Sequence, residues 1–200
     1  MDWDNGISAY KWCNGTNWVK ATTALPGSLS IGGLCENGTV FAGTSPDSGT
    51  PMYTTRCDAG QIWNGSGCAG TVANYPWNNG NSGGWALTGL TSATAGSANT
   101  LSLLALDSDS ITSGHQLHQA AEFCDTLVEG GYGDWYLPAQ DELQILYDNR
   151  FAIGNFGSNY HWSSTEVDIN NAFMINFSSG STGGLSKDNL SRQTRCVRKD

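Results

Sequence analysis

The stretch Gly131-Tyr-Gly-Asp-Trp-Tyr-Leu-Pro138, followed closely by Asp141-Glu-Leu143, decides the fold of the second half of the chain. Pro138 suits the first turn of a helix, where a missing backbone donor costs nothing. Asp141 and Glu142 fall in the first turn of such a helix, where the helix dipole favours negative charge. Leu143 forms an apolar face with Leu146 and Tyr147 at helical spacing. We therefore predict a helix that opens near Pro138.

A second helix is predicted upstream of this stretch. Ser113-Gly-His-Gln116 has the form of a capping box, in which the hydroxyl and the glutamine side chain satisfy free backbone amides. Apolar residues follow at helical spacing, and Gly130-Gly131 supplies the stop. The predicted apolar face consists of Leu117, Ala120, Ala121, Cys124, Leu127 and Val128.

Strands are predicted beyond the two helices. In the segment Ala172-Phe-Met-Ile-Asn-Phe177, Phe173, Ile175 and Phe177 share one face, because side chains alternate along a strand. Thr194-Arg-Cys-Val-Arg198 is predicted to be a short closing strand.

The first half of the chain is rich in turn signals. Three phrases set Asn-Gly, the strongest signal for a tight hairpin, beside Cys or Trp, so we predict short hairpins there. A Gly-, Ser-, Thr- and Asn-rich stretch from Asn78 to Asn99 is predicted to be a long surface loop or a flexible linker. The hairpin phrases are Cys13-Asn-Gly-Thr-Asn-Trp-Val19, Cys35-Glu-Asn-Gly-Thr-Val40 and Trp63-Asn-Gly-Ser-Gly-Cys68.

The composition bounds the class of protein. Two hundred residues, of which 38% are hydrophobic and 14% charged, suffice for one large domain or a domain with an appendage. Twenty-six Gly predict many turns, and eight Trp argue against disorder. A net charge of -9 disfavours binding to duplex nucleic acid. We expect no membrane span, since no apolar run of about 18 residues occurs. Met1-Asp-Trp-Asp4 lacks the features of a signal peptide, so we expect a trimmed mature segment.

The cysteines indicate the compartment. They form an even, scattered set with no CxxC pair and no zinc-finger spacing, which predicts disulfides in an oxidising, extracytoplasmic environment. The alternative is a cytosolic protein with free thiols. Six cysteines allow 15 pairings, which spacing alone leaves open. The set is Cys13, Cys35, Cys57, Cys68, Cys124 and Cys196.

Candidate metal ligands are present in an incomplete set. His115 and His118 lie three residues apart, and Asp107 and Asp109 lie just upstream. A fourth ligand of the kind zinc requires is not evident. The two aspartates lack the Gly and Glu of an EF-hand loop, although calcium binding at them stays open. We predict no metal site.

Candidate catalytic groups are also incomplete. Ser163, Ser164 and Glu166 lie close to His161 in the sequence. A seryl nucleophile usually needs an elbow such as GxSxG and an orienting acid, and neither is identifiable. We predict no catalysis at these residues and no cofactor.

Further phrases complete an ordered series that begins with the stretch quoted first. They are Tyr160-His-Trp-Ser-Ser-Thr-Glu166, Phe173 to Phe177-Ser-Ser-Gly180 and Arg195-Cys-Val-Arg198. The series closely resembles the bacterial Lcl C-terminal domain family. Shorter phrases extend the resemblance to about residues 50–198: Cys57-Asp-Ala-Gly-Gln61, Trp77-Asn-Asn-Gly-Asn81, Asp107-Ser-Asp-Ser110 and His118-Gln-Ala-Ala121.

The resemblance implies an α+β, C-type-lectin-like fold related to the formylglycine-generating enzymes. Such a domain is expected over residues 50–200, with two helices and short antiparallel strands, rich in loops and stapled by disulfides. A small β-hairpin-rich segment is expected to precede it over residues 1–49.

The same resemblance implies a disulfide between Cys124 on the first helix and Cys196 near the last strand. Cys57 and Cys68 flank a turn-rich segment and are expected to pair, which leaves Cys13 with Cys35. Formylglycine-generating relatives use a reactive cysteine pair near the C-terminus. Only Cys196 lies there, and the bridge requires it, so we predict that the chain is not an enzyme.

The C-terminal loops are the predicted ligand-binding surface. Asn, Ser and Tyr in loops offer adaptable hydrogen bonds and rigid aromatic contacts. Basic residues gather in the same stretch, namely Lys187, Arg192, Arg195, Arg198 and Lys199, so we predict a basic patch able to meet sulfated glycans. The predicted ligand-binding residues are Asn155, Ser158, Asn159, Tyr160, Asp168, Asn170, Asn171, Ser178, Ser179, Lys187, Asp188, Asn189 and Arg192.

Two functions from different classes remain open at this point. The preferred one is a secreted or surface-displayed, adhesin-type module that binds a glycan or protein ligand on a host or neighbouring cell. The alternative is a structural tip, cap or trimerising end of a pilus, stalk or tail fibre, in which the loops are ordinary solvated turns. A homo-oligomer, such as a trimer, fits either function.

Overall fold

The computed structural model describes residues 11–13, 18–20, 30–35, 38–78, 87–106 and 117–200, the first two ranges by their backbone alone. Within these ranges the fold is α+β, with four helices and small antiparallel sheets joined by many loops. In the same ranges, no helix has both the length and the apolar character that a membrane crossing requires.

Short hairpins form at the Asn-Gly phrases. Strands β1 (Lys11–Cys13) and β2 (Trp18–Lys20) pair antiparallel on either side of the first phrase. Strands β5 (Ile62–Trp63) and β6 (Cys68–Ala69) pair around the third. At the second phrase an isolated antiparallel bridge joins Leu34 to Val40. The hairpins predicted from Asn-Gly are thus confirmed.

A three-stranded sheet joins the early part of the chain to its end. Its strands are β3 (Val40–Thr44), β4 (Pro51–Thr54) and β10 (Val197–Lys199), with β4 in the centre. The predicted division between residues 49 and 50 falls in the turn between β3 and β4. Residues on both sides of that division therefore share one sheet.

Two of the four helices were not predicted. Helix α1 (Gly96–Leu106) begins inside the segment expected to be a surface loop or linker, and α4 (Arg150–Ile153) is a single turn. The buried face of α1 includes two polar residues, Asn99 and Thr100, which bond to Ser164 Oγ and the Leu137 carbonyl. These polar residues interrupt the apolar periodicity by which an amphipathic helix is recognised.

The two predicted helices are present with shifted ends. Helix α2 (Gln119–Thr126) ends before Leu127 and Val128, and the proposed capping box at residues 113–116 lies outside the described residues. Helix α3 (Gln140–Asp148) has the expected acidic first turn. There the Glu142 carboxylate accepts the Ala139 backbone N–H at 2.9 Å, which satisfies one of the free donors at the helix start.

The main sheet is a meander with a hydrophobic cluster on each face. It consists of β7 (Tyr160–Glu166), β8 (Asn171–Asn176) and β9 (Thr182–Ser186). Ala172 and Met174 of β8 belong to one cluster, together with Trp77, Leu103, Trp135 and Trp162. As predicted, the alternate residues Phe173, Ile175 and Phe177 share the other face, where they join Met52, Leu143, Leu146 and Val197.

Disulfides tie the fold together. Cys124 on α2 is bonded to Cys196, just before β10, and Cys57 is bonded to Cys68, so both pairings are confirmed. Cys35 is disulfide-bonded as well, whereas the side chain of its expected partner, Cys13, lies outside the described residues. No free cysteine occurs among the described side chains.

Candidate functional site

The register of the main sheet divides the predicted ligand-binding residues into two groups. Strand β8 runs from Asn171 to Asn176, and a strand advances about 3.4 Å per residue, so its ends lie about 17 Å apart. One group lies where β7 begins: Asn155, Ser158, Asn159, Tyr160, Ser178, Ser179 and Arg192. The other lies at the turn between β7 and β8: Asp168, Asn170, Asn171, Lys187, Asp188 and Asn189. The structure does not bring the whole set into one compact site.

In the first group the side chains are largely engaged with one another. Asn159 Nδ2 donates to the Ser191 carbonyl at 2.9 Å. The Arg192 guanidinium lies 4.5 Å from the centre of the Tyr160 ring. These contacts hold the approach to β7 in place and leave few polar atoms of Asn159 free for a ligand.

Several of the predicted polar side chains form turns. Asp168 Oδ1 accepts the backbone N–H of Asn170 at 2.8 Å and that of Asn171 at 2.9 Å. Asn189 Oδ1 accepts the Ser191 N–H at 2.9 Å. Asn and Asp are common in turns because their side chains bond to the backbone two residues further on. Their density in the loops therefore reflects turn formation in part.

The predicted basic patch is wrong. Lys187, Arg195 and Arg198 are buried, and each is paired with a carboxylate, from Glu166, Asp58 and Asp134 respectively. Lys199 is paired with Asp47. A buried cation needs a compensating anion, so these side chains fold inward instead of gathering on the surface. Of the five, Arg192 alone is left partly exposed without a carboxylate partner among the described residues.

One buried ion pair organises the loop before β7. Asp58 Oδ1 lies 2.8 Å from Arg195 Nε and 3.1 Å from His161 Nε2, and all three side chains are fully buried. Asp58 Oδ2 accepts the Gly157 N–H at 2.8 Å. Burial alone would raise the pKa of Asp58, but the electrostatic effects of Arg195 and His161 hold it well below its ordinary value. His161 is thereby committed to structure.

A second buried ion pair lies at the opposite end of the sheet. Lys187 Nζ lies 2.5 Å from Glu166 Oε1, with both side chains fully buried, and it also donates to the Ile169 carbonyl at 3.0 Å. The Lys187 ammonium lies 5.0 Å from the centre of the Trp77 ring, within reach of a cation–π interaction. The pair thus ties the end of β7 and the β7–β8 turn to the segment after β9.

Glu166 also holds a fourth segment. Its Oε2 accepts the Gly89 N–H at 2.7 Å, and its Oε1 accepts the Thr88 N–H at 2.9 Å. Burial alone would raise the pKa of Glu166, but the hydrogen bond from Lys187 and those two amides lower it below its ordinary value. The carboxylate therefore stays charged and keeps these segments together.

Three exposed aliphatic residues lie in the segments that this ion pair joins. Leu87 precedes Thr88, Val167 follows Glu166, and Ile169 supplies the carbonyl that Lys187 binds. Their exposed fractions are 65% for Leu87, 47% for Val167 and 48% for Ile169. We call these three residues, together with Asp168, Asn170 and Asp188, the ion-pair surface. Sequence reasoning missed the aliphatic part, because no periodic signal in loops distinguishes an exposed leucine from a buried one.

The proposed catalytic and metal-ligating residues have structural partners. Ser163 Oγ accepts the Thr165 N–H at 3.1 Å, and Ser164 Oγ accepts a hydrogen bond from Asn99 Nδ2 at 3.3 Å. His118 is buried, 2.9 Å from Asn78 Nδ2. In the described part of the chain, no three His, Cys, Asp or Glu side chains gather as metal ligands would. Asp107, Asp109 and His115 lie outside that part.

Comparison with protein families finds a match to the Lcl C-terminal domain over residues 62–198. The chain belongs to the Lcl C-terminal domain family. The matched residues of this Lcl C-terminal domain include Glu166, Lys187 and Arg195 of the two buried ion pairs, whereas Asp58 precedes the match. They also include both cysteines of the Cys124–Cys196 bridge. A comparison with curated proteins finds no match.

Proposed function

We propose that this Lcl C-terminal domain is a secreted or surface-displayed recognition module without catalytic activity, and that it binds its ligand through the ion-pair surface. The observation that carries the proposal is the buried Glu166–Lys187 pair, which joins four chain segments, and these segments include three exposed aliphatic residues. Large exposed apolar side chains carried by neighbouring segments of a rigid scaffold are typical of binding surfaces.

The proposed setting is extracellular, and the proposed architecture within the α+β class is C-type-lectin-like. Disulfides persist in oxidising compartments and are rare in the cytosol, so the two described bridges support this setting. The bridge from the helix region to the last strand also suits the lectin-like arrangement that the sequence implies.

The absence of catalysis is part of the proposal. His161, the histidine closest to the two buried serines in sequence, is held by Asp58 and lies 4.2 Å from the Phe177 ring, centre to centre. Ser163 is fully buried. A nucleophile must reach its substrate, and a buried hydroxyl that already accepts a backbone N–H is poorly placed to do so.

A structural role remains the second candidate, and the outward face of α1 favours it. Helix α1 carries no charged residue, and Ala98, Leu101 and Ala105 lie on its exposed side at helical spacing. An uncharged helix face on an acidic chain suits contact with another copy in an assembly. Sedimentation velocity tests this role: if the face joins copies, Leu101→Glu will dissociate them, and a chain that is monomeric without the change contradicts it.

The recognition proposal is tested by removing the aliphatic side chains of the ion-pair surface. In the double variant Val167→Ser with Ile169→Ser, we expect the labelled protein to lose binding to cultured cells and to a glycan array. Val128→Ser is the matched control, because Val128 is a β-branched aliphatic residue exposed at 76% in a segment that has no part in either proposal. Melting temperatures of both variants establish that they are folded. Undiminished binding by the double variant would contradict the proposal.

A further inference from the structure

The ion-pair surface has one sign of exposed charge. Lys187, the cation of the ion pair that holds this surface, is fully buried and neutralised by Glu166. The two other charged groups, Asp168 and Asp188, are exposed. Among the described residues, the exposed charges next to these segments are therefore carboxylates, with Asp168 between Val167 and Ile169 in the sequence and Asp188 next to Lys187.

Both carboxylates are held in place by local hydrogen bonds. Asp168 receives the Asn171 side-chain amide on both of its oxygens, each at 3.0 Å, and the backbone N–H groups of the same turn on Oδ1. Asp188 Oδ1 accepts the Ser186 hydroxyl at 2.6 Å. Fixed charges lose less freedom on binding than mobile ones, which favours their use in recognition.

We propose that the ion-pair surface binds a protein segment that is both apolar and cationic. Aliphatic side chains of the partner would pack on Leu87, Val167 and Ile169, and its Lys or Arg side chains would pair with Asp168 and Asp188. This inference rests on the proposed function and names the class of its ligand. Charge complementarity favours a cationic partner, because like charges across an interface repel each other and opposite charges speed association.

The same charges argue against sulfated glycans as the ligand at this surface. A sulfated chain needs exposed cations, and four of the five predicted cations are paired with carboxylates, while Arg192 lies in the other group of loop residues. The protein carries a formal net charge of -9, which adds a general repulsion.

A pair of synthetic peptides tests the inference with the full chain. The probe is a short fluorescent peptide of leucine and lysine, and its counterpart replaces each lysine with glutamate. Fluorescence anisotropy measures the affinity of each peptide, and heparin serves as the sulfated-glycan probe. We expect binding of the lysine peptide, weaker binding as salt increases, and no binding of the glutamate peptide or heparin.

Variants with equal charge changes separate the local effect from net charge. Asp168→Asn with Asp188→Asn is compared with Asp125→Asn with Asp148→Asn, because all four carboxylates are exposed. We expect the first pair to weaken binding of the lysine peptide about twofold to thirtyfold, the range for two exposed ion pairs. The control pair should change it less than about twofold, since charges beyond a Debye length are screened.

The outcomes distinguish this inference from the proposed function. Equal losses in both variant pairs would mean that net charge alone attracts the peptide, and binding of heparin or of the glutamate peptide would show the wrong ligand class. Each result overturns the inference. If Val167→Ser with Ile169→Ser abolishes cell binding while the lysine peptide neither binds nor competes, the recognition function stands and the partner class is wrong.

Discussion

Replacing Asp58 by Asn removes the anion from the buried cluster that holds the loop before β7. The carboxylate of Asp58 is bonded to Arg195, His161 and the Gly157 N–H, and its side chain has no exposed surface. In the variant the Arg195 guanidinium stays buried without its paired carboxylate. Breaking a buried ion pair in this way costs about 3–5 kcal/mol of folding free energy.

A second aspartate–arginine pair provides the matched control. Asp134 bonds to Arg198 at 2.9 and 3.0 Å, so the geometry is similar, but the Asp134 side chain is 53% exposed. Solvent screens this pair, so Asp134→Asn should cost at most about 1 kcal/mol. The difference between the two variants therefore isolates the effect of burial.

Urea unfolding with the disulfides intact, followed by tryptophan fluorescence, measures both variants. With a slope of about 3 kcal/mol per M of urea, Asp58→Asn lowers the midpoint by roughly 1–1.7 M. Adding Arg195→Met should cost less than the sum of the two single changes, because the lone buried charge is then removed. Equal midpoints for Asp58→Asn and Asp134→Asn would refute the reasoning.

The same cluster sets an acid limit on stability. Because the pKa of Asp58 is lower in the folded protein than in the unfolded chain, its contribution is fully present above about pH 4, the ordinary range for Asp. It is lost as the pH falls below that range toward the lower folded value. The urea midpoint of the unmodified protein should therefore fall between about pH 5 and pH 3, and the gap to Asp58→Asn should narrow. A constant gap across this range contradicts the assignment.

Three further changes test the fold. Cys196→Ser removes the bridge that closes a loop of 72 positions and should lower the free energy of unfolding by about 4 kcal/mol, measured in thermal or urea unfolding. A non-reducing digest of the unmodified protein should recover Cys124 linked to Cys196. Gly180→Ala should lower the melting temperature more than Gly65→Ala. Both glycines have positive φ, which alanine adopts with strain in either case. A Cβ at Gly180 would also lie 2.4 Å from the Tyr147 hydroxyl, whereas a Cβ at Gly65 would contact no atom. Trp162→Ala should cost roughly 3–5 kcal/mol, because Trp162 is fully buried, and a smaller loss would remove it from the core.

Local signals were sufficient for the hairpins and for helix α3. The strands beside the first and third Asn-Gly phrases pair as the few residues of each phrase predict. The acidic first turn after Pro138 depends only on the helix that it begins. The Cys124–Cys196 bridge spans 72 positions, and it was reached through the family resemblance, since spacing left all 15 pairings open.

Helix α1 shows where local signals failed. Its buried face includes Asn99 and Thr100, whose polar groups are satisfied by Ser164 and by Leu137 of other segments. From the sequence alone, such polar residues favour the prediction of a loop, because their hydrogen-bond partners are known only from the tertiary structure.

The sequence by itself determined the family, the turns, the alternation of β8 and the concentration of cationic side chains near the C-terminus. Only the tertiary structure decided where those cations point. Arg195 meets Asp58 across 137 positions, and Lys187 meets Glu166 across 21, so the expected basic patch became two buried ion pairs. The reason is that a charge removed from water needs a counterion nearby, and nearness in space between distant residues is set by the fold alone.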